Sequence, residues 1–196
     1  SGNLVMQSVD LISLATVDGS LILSGNPALN ALLVSGVTSI GGDLTIVGAA
    51  ATVSDMSALT TVGGSLDVSG NTAATSIDMT ALTTVGGSID ASENASMSSI
   101  DMSAVTTVGG SLDVSGNAAA TAINMGSLTS VGGSLTVSGN SAADPINMAS
   151  LTTVGGSLDL SGNTSVSSID LGGVTTVGGN LDVSGNTSAT VIDMAS

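Results

Sequence analysis

Lysine, arginine, histidine, cysteine and all aromatic residues are absent from the 196-residue sequence. Without cations the chain has no electrostatic footprint for nucleic acid and no basic patch for an anionic membrane. Without histidine or cysteine it lacks the usual zinc, haem and iron–sulfur ligands, and it lacks the base of a Ser-His-Asp triad. Without aromatic residues it has no stacking platform for bases or sugars. We therefore expect no enzymatic activity, no nucleic-acid partner and no ligand that depends on aromatic contacts.

Long apolar runs are also missing, and no segment approaches the roughly 18 residues of a membrane span. The sequence has no signal-peptide pattern and begins with Ser1 rather than Met, so we expect a processed chain or a segment of a longer protein. What the sequence does contain is 15 acidic residues and 27 glycines, with a net charge of −15. Most of these residues recur at a fixed interval along the chain.

The repeat is marked by a Gly-Gly pair that recurs every 23 residues from Gly63 to Gly178, with one 22-residue step after Gly41. A typical copy, residues 59–79, reads LTTVGGSLDVSGNTAATSIDM. The segment SLDVS alternates with period 2, which predicts a half-buried strand, and SIDM predicts a second. Leu59 and Val62 flank a Thr-Thr corner and indicate a short third strand. We therefore predict an all-β solenoid of about eight 23-residue coils, with two to three short strands per coil, as a single domain over residues 1–196.

Like residues of successive coils are expected to stack about 4.8 Å apart, because one coil cannot bury its own apolar edges. The predicted interior therefore consists of aliphatic ladders. They are Leu21, Leu44, Leu66, Ile89, Leu112, Leu135, Leu158 and Leu181; Val62, Val85, Val108, Val131, Val154 and Val177; Ile77, Ile100, Ile123, Ile146, Ile169 and Ile192; and Met56, Met79, Met102, Met125, Met148, Leu171 and Met194. We interpret the Met ladder as core filler, since Met fits irregular gaps.

The motifs LTSVGGSLTVSGN, at residues 128–140, and NPALNALLVSGVTSIGG, at residues 26–42, resemble the leucine-rich-type repeats of receptor L domains and of related microbial surface proteins. The resemblance covers essentially the whole chain. It implies a right-handed solenoid in an extracellular or cell-surface setting. It implies no ligand, because the aromatic and charged residues and the disulfide-rich modules of the receptors have no counterpart here.

Aspartates occupy two outward positions of the repeat. The first contains Asp67, Asp90, Asp113, Asp159 and Asp182, interrupted by Thr136, and the second contains Asp10, Asp55, Asp78, Asp101, Asp170 and Asp193, interrupted by Asn124 and Asn147. Stacked carboxylates repel, and no cation in the chain offsets the repulsion. Screening by salt, protonation of some groups and bridging by Ca²⁺ are the three alternatives. The residues that would bridge calcium are Asp67, Asp90, Asp113, Asp159, Asp182, Asp78, Asp101, Asp170 and Asp193, and no other cofactor is expected.

An asparagine ladder follows the SGN turns at Asn3, Asn26, Asn71, Asn94, Asn117, Asn140, Asn163 and Asn186. We interpret it as structural, because stacked amides can satisfy the backbone of the turn and bond to the next coil. Glycosylation is the alternative, since Asn94, Asn163 and Asn186 each begin an acceptor triplet.

Two functions from different classes remain open. Neither end has a cap, and Ile22 and Leu33 occupy positions that hold Asp in later coils. Open solenoid ends stack into filaments, so one hypothesis is an extracellular fibre subunit or adhesin that polymerises with copies of itself end to end.

The other hypothesis is an ice-binding solenoid, suggested by the Thr pairs. These are Thr60-Thr61, Thr83-Thr84, Thr106-Thr107, Thr152-Thr153 and Thr175-Thr176. Because the two Thr of a pair are adjacent, at most one of them faces outward from a strand.

Overall fold

The fold is a parallel β-solenoid of about eight turns without helices in the described part of the chain. A computed structural model of the protein describes residues 2–50 and 53–194. Ser1, Ala195 and Ser196, which contribute to the first SGN motif and to the end of the last repeat, lie outside these ranges. Each complete described coil contributes three short strands, so the prediction of an all-β solenoid with 23-residue coils is confirmed.

The strands stack into three faces that run along the solenoid. Face 1 contains β1 Ser8–Asp10, β4 Ala31–Leu33, β7 Val53–Asp55, β10 Ser76–Asp78, β13 Ile100–Asp101, β16 Ile123–Asn124, β19 Ile146–Asn147, β22 Ser168–Asp170 and β25 Val191–Asp193. Face 2 contains β2 Thr16–Val17, β5 Ser39–Ile40, β8 Thr61–Val62, β11 Thr84–Val85, β14 Thr107–Val108, β17 Ser130–Val131, β20 Thr153–Val154 and β23 Thr176–Val177. Face 3 contains β3 Leu21–Ile22, β6 Leu44–Thr45, β9 Leu66–Asp67, β12 Ile89–Asp90, β15 Leu112–Asp113, β18 Leu135–Thr136, β21 Leu158–Asp159 and β24 Leu181–Asp182.

Faces 2 and 3 are each one continuous eight-stranded parallel sheet, whereas face 1 divides into sheets of four, three and two strands among the described residues. The second division follows the coil that contains Pro145, which has no backbone N–H. The register is that of identical repeat positions: Val85 pairs with Val62 and Val108, and Ile89 pairs with Leu66 and Leu112. Because the repeat has a constant length, equivalent side chains of neighbouring coils lie directly beside one another in each sheet.

The predicted ladders form one continuous core. The Leu, Val, Ile and Met positions are buried through the middle coils, with Met79, Met102 and Met125 at most 1% exposed. Burial is lost at the C-terminal end, where Leu181 is 42% exposed and Met194 is 61% exposed. The ladders are thus core as predicted, except that Leu21, Ile146 and Val177 are only partly buried and that Leu181, Ile192 and Met194 are exposed.

The Gly-Gly pair is required by the close approach of successive coils. A Cβ on Gly109 would overlap the carbonyl oxygen of Gly86, and a Cβ on Gly110 would overlap the Ser88 hydroxyl. That hydroxyl is itself fixed, because it accepts a hydrogen bond from the Ser111 N–H at 3.0 Å. The pair therefore marks the place where backbone packs directly on backbone.

The glycine of the SGN turn has a different role. Gly70 has a φ of 64° and Gly116 a φ of 70°, the left-handed region that glycine enters without cost. Glu93 occupies the same position in its coil with a φ of 59°, and it is the one non-glycine residue of the described chain with positive φ. This substitution places a strained residue in an otherwise regular turn.

Candidate functional site

The asparagine ladder is buried through the middle coils, where its amides bond to the backbone as expected for a structural role. Asn117 is fully buried, and its Oδ1 accepts a hydrogen bond from the Asn94 N–H at 2.9 Å. Its Nδ2 donates to the Val114 carbonyl at 2.7 Å and to the Ala91 carbonyl at 3.1 Å. The amide thus joins two coils at the turn.

Burial of this ladder argues against glycosylation of the folded chain. Asn94 and Asn163 are fully buried, and Nδ2 of each donates to a carbonyl in its own turn. Nδ2 of Asn186 also donates, to the Val183 carbonyl at 2.7 Å. The atom that would carry a glycan is therefore already engaged in holding the turn.

The aspartates of face 3 lie in register on neighbouring coils. Asp90 pairs with Asp67 and with Asp113, and Thr136 separates Asp113 from Asp159, which pairs with Asp182. Each of these carboxylates accepts a hydrogen bond from the N–H two residues later, at Ser69, Ser92, Ser115, Ser161 and Ser184. Each Asp therefore forms an Asx turn, which bends the chain after the strand.

The aspartates of face 1 make the same turn. Asp78 accepts from the Thr80 N–H at 3.0 Å and from its hydroxyl at 2.7 Å, and Asp101 accepts from the Ser103 N–H at 2.9 Å. Asn124 and Asn147 keep the turn without the charge, because their Oδ1 atoms accept from Gly126 and Ala149. The Asn147 amide also donates to Asn124 at 3.0 Å. Where the two successive coils carry Asn124 and Asn147, a hydrogen bond between side chains therefore replaces the repulsion between carboxylates.

Calcium bridging by Asp67, Asp90, Asp113, Asp159, Asp182, Asp78, Asp101, Asp170 and Asp193 stays a prediction. Among residues 2–50 and 53–194 the acids form no cluster of three or more that could hold a metal ion. Two carboxylates of adjacent coils would supply only part of the six to eight or so oxygen ligands that calcium takes, and water would supply the others.

Serine donors lower the pKa of two carboxylates. The Ser57 hydroxyl, followed by the Ser57 N–H, holds the pKa of Asp55 below its ordinary value of 3.8. The hydroxyl and N–H of Ser184 lower the pKa of Asp182 in the same way. In both cases the fold favours the ionised form, because the donors bond to the carboxylate.

We expect replacement of Asp55 by asparagine to change how stability depends on pH. Since the folded pKa of Asp55 is below the unfolded value, its stabilising contribution is complete above the unfolded pKa and is lost as pH falls through the folded pKa. Urea unfolding followed by circular dichroism should therefore show wild type and Asp55→Asn converging between about pH 5 and pH 2. A stability difference that stays constant over this range would contradict the assignment, since asparagine retains the turn.

The threonine pairs of face 2 divide into two ladders. The first Thr of each pair precedes the strand, and its hydroxyl donates to the preceding coil: Thr83 to the Thr60 carbonyl and Thr152 to the Thr129 carbonyl, both at 3.0 Å. The second Thr lies in the strand and points outward. The hydroxyls of Thr61, Thr84 and Thr107 make no hydrogen bond within the described chain. Both members are exposed in these coils, but as predicted only one faces outward from the strand.

Face 2 is also nearly free of charge. Apart from Asp18 in the first coil, the acids of the described chain lie on faces 1 and 3 or in the turns. The outward positions of face 2 from β5 to β23 are Thr, Ser and Gly. Sequence reasoning found the Thr ladders and the Asp ladders separately, but their placement on different faces required the structure.

The sequence matches no protein-family model, no curated protein and no solved structure at a significant level. The resemblance of the repeat to receptor L domains therefore stays a prediction. Within the described residues, no helix has the length and apolarity needed to cross a membrane.

Proposed function

We propose that the protein is a non-enzymatic structural element of the cell surface or extracellular space, a rod that assembles end to end into a fibre or an adhesive stalk. The observation that carries this proposal is the exposure of apolar side chains in the first and last described coils. At one end Leu4, Val5 and Ile12 are more than half exposed, and at the other Val191 and Met194 are more than half exposed. Apolar surface at both ends of a parallel stack favours addition of another coil.

The two ends differ, so contact between them is head to tail. Continuation of the observed register places Val9 of a second copy beside Ile192, and Ser8 beside Val191. In this register the Asn ladder continues across the joint, from Asn186 to Asn3 of the next copy. A head-to-tail contact of this kind repeats without closing and produces an open filament.

The side faces support a rod that stays separate from its neighbours. Faces 1 and 3 present carboxylates in most coils, and a net charge of −15 without a single cation keeps parallel rods apart. Absence of lysine and arginine also removes every cleavage site of trypsin-like proteases, which suits an exposed fibre. Repetition of the same carboxylate in the same turn provides no unique place for catalysis.

We expect electron microscopy of the purified chain to reveal unbranched filaments built from rods of about 40 Å. Ile192→Asp should leave isolated rods, because it places a carboxylate in the apolar joint beside Asp193. Ser188→Asp, an exposed change in the same coil, is the matched control and should still polymerise. Growth that needs added Ca²⁺ would assign a role to the Asp ladders.

Isolated wild-type rods at high concentration, with and without calcium, would contradict end-to-end assembly. Equal polymerisation of Ile192→Asp and Ser188→Asp would also contradict it, since the apolar joint would then be unimportant. Light scattering with size-exclusion chromatography gives the same comparison in solution.

Ice binding is a second candidate, favoured by the unengaged hydroxyls of face 2. Thr61, Thr84 and Thr107 repeat about 4.8 Å apart along an uncharged sheet, and their hydroxyls are free to bond to ordered water. A regular array of this type is suited to a repeating solid surface rather than to one small ligand.

Thermal hysteresis of the concentrated protein tests this candidate. If face 2 binds ice, Thr84→Glu combined with Thr107→Glu should remove the hysteresis, because two carboxylates interrupt the array. Ser96→Glu combined with Ala119→Glu adds the same charge at exposed turn positions and should leave the activity unchanged. Absence of hysteresis in the wild-type protein would exclude ice binding.

A further inference from the structure

Asp144 interrupts a contact that other coils repeat just before face 1. At this position the backbone N–H donates to the carbonyl of the equivalent residue one coil earlier, and a side-chain hydroxyl donates to the same carbonyl where the residue has one. The N–H bonds run from Ser98 to Thr75, from Thr121 to Ser98, from Asp144 to Thr121 and from Thr190 to Ser167, at 2.9–3.2 Å. The hydroxyl bonds are those of Ser98, Thr121 and Thr190.

Between Ser167 and Asp144 both donors bond to the aspartate side chain instead of its carbonyl. Oδ1 of Asp144 accepts from the Ser167 N–H at 3.3 Å and from the Ser167 hydroxyl at 3.1 Å. Oδ2 makes no hydrogen bond within the described chain. The carboxylate therefore lies between two coils at a level where other coils place a peptide carbonyl, and one of its oxygens stays free.

The residue that follows this carboxylate is Pro145, and the chain has no other Asp-Pro bond. An Asp-Pro bond is hydrolysed in mild acid far faster than other peptide bonds. The proline nitrogen is a basic leaving group, and the aspartate carboxylate can act as a nucleophile on its own backbone carbonyl carbon. Asp144 and Pro145 are both exposed, so water and protons reach the bond.

Face 1 restrains the chain weakly after this bond. β19, which follows Pro145, pairs with β16 of the preceding coil but not with β22 of the next coil. Ile146 is only half-buried, whereas Ile123, its partner in the preceding coil, is fully buried. The backbone on the proline side can therefore withdraw once the bond is broken.

We propose that the Asp144–Pro145 peptide bond is an autocatalytic cleavage site, which the Asp144 carboxylate opens in mild acid while Ser167 holds it in position. Asp144 is the reacting residue and Ser167 is a positioning residue. The proposal goes beyond the structural role of the rod and does not depend on assembly, because both residues lie in neighbouring coils within the stack.

The reaction needs only water and a proton from solvent. The free oxygen of the Asp144 carboxylate attacks the carbonyl carbon of the Asp144–Pro145 bond. The bond between this carbon and the Pro145 nitrogen breaks, and the nitrogen takes up the proton. Asp144 is left as a cyclic anhydride, which one water molecule opens to two carboxyl groups. The net change is hydrolysis of one peptide bond.

Cleavage would convert one covalent rod into two stacked pieces. All three faces join the piece that ends at Asp144 to the piece that begins at Pro145, through Ile123 with Ile146, Val131 with Val154, and Leu135 with Leu158. The cut therefore leaves a parallel joint between coils that is held by packing and hydrogen bonds alone.

Incubation of the purified full chain at about pH 4, near the ordinary pKa of an aspartate side chain, tests the proposal. We expect mass spectrometry to find two fragments, residues 1–144 and 145–196, whose masses sum to that of the intact chain plus one water. The reference is the synthetic peptide SAADPINMA, which copies residues 141–149. The folded chain should be cut at least about 10-fold faster than the peptide, because its carboxylate is already positioned.

Three variants separate positioning from the intrinsic lability of the bond. Asp144→Asn keeps an acceptor for Ser167 and should stay intact. Ser167→Ala should be cut at least about fivefold more slowly than wild type, because it loses the hydroxyl that holds Oδ1. Ser165→Ala removes a nearby hydroxyl that bonds to the Ser141 carbonyl instead, and it should be cut at the wild-type rate. A folded chain cut no faster than the peptide, or equal rates for Ser167→Ala and Ser165→Ala, would overturn the proposal.

Discussion

Substitution of Gly109 by alanine is expected to destabilise the protein by about 3 kcal/mol, near the upper end of the usual range for overpacking. The new methyl group would overlap the Gly86 carbonyl oxygen, which is backbone and cannot move aside without separating two coils. Gly109 lies in a middle coil, with packed coils on both sides, so the overlap cannot be relieved by displacement of an end coil. Urea unfolding followed by far-ultraviolet circular dichroism measures the effect, since the chain has no fluorescent side chain.

Gly70→Ala is the matched control for this prediction. Gly70 has a φ of 64° but no atom within 4 Å of an added Cβ, so only backbone strain opposes the substitution. A left-handed alanine costs about 1 kcal/mol, clearly less than the expected overlap at Gly109. Equal destabilisation by the two variants would mean that backbone conformation, rather than contact between coils, explains the regular spacing of glycine along the repeat.

Substitution of Asn117 by alanine is expected to cost about 4 kcal/mol, because each buried polar group left without a partner costs about 1–3 kcal/mol. The groups left unpaired are the Asn94 N–H and the Val114 carbonyl, whereas the Ala91 carbonyl keeps Asn94 Nδ2 as a donor. Neither of these two groups is accessible to water in the folded coil, since Asn117 and Asn94 are both fully buried. The urea midpoint of the variant provides the measurement.

Asn147→Ala provides the comparison on the surface of face 1. Asn147 is only half-buried, and the Ala149 N–H that it satisfies can bond to water instead. We expect a loss below about 1 kcal/mol. If Asn147→Ala were as damaging as Asn117→Ala, burial of the amide would not explain the inner ladder.

Much of the fold follows from the sequence, because the repeat has a single constant period. When Val62, Val85 and Val108 recur every 23 residues, parallel stacking of equal coils is the arrangement that buries all of them together. The same reasoning identifies the Asn ladder, since turn residues at equal spacing must also stack. The 22-residue step after Gly41 leaves the core register intact, because Ile40 still pairs with Val62 and Leu44 with Leu66.

The role of each polar ladder was less accessible to sequence reasoning. For Asp78 and Asp90 the sequence left screening by salt, protonation and calcium bridging open, and it did not reveal that each carboxylate accepts hydrogen bonds from the turn that follows it. The presence of Asn124 and Asn147 in the same ladder is consistent with this role, because an amide oxygen makes the same turn. Such local bonding depends on backbone direction, which a pattern of residue types does not contain.

The sequence by itself determined the coil length, the identity of the core ladders and the stacking of like residues, because periodic burial permits only one register. Only the tertiary structure decided which Thr of a pair bonds to the preceding coil and which, like Thr84, keeps its hydroxyl free. It also decided that, apart from Asp18, the acids of the described chain lie away from face 2. These properties depend on the direction of side chains around a coil, which is set by the path of the chain in three dimensions.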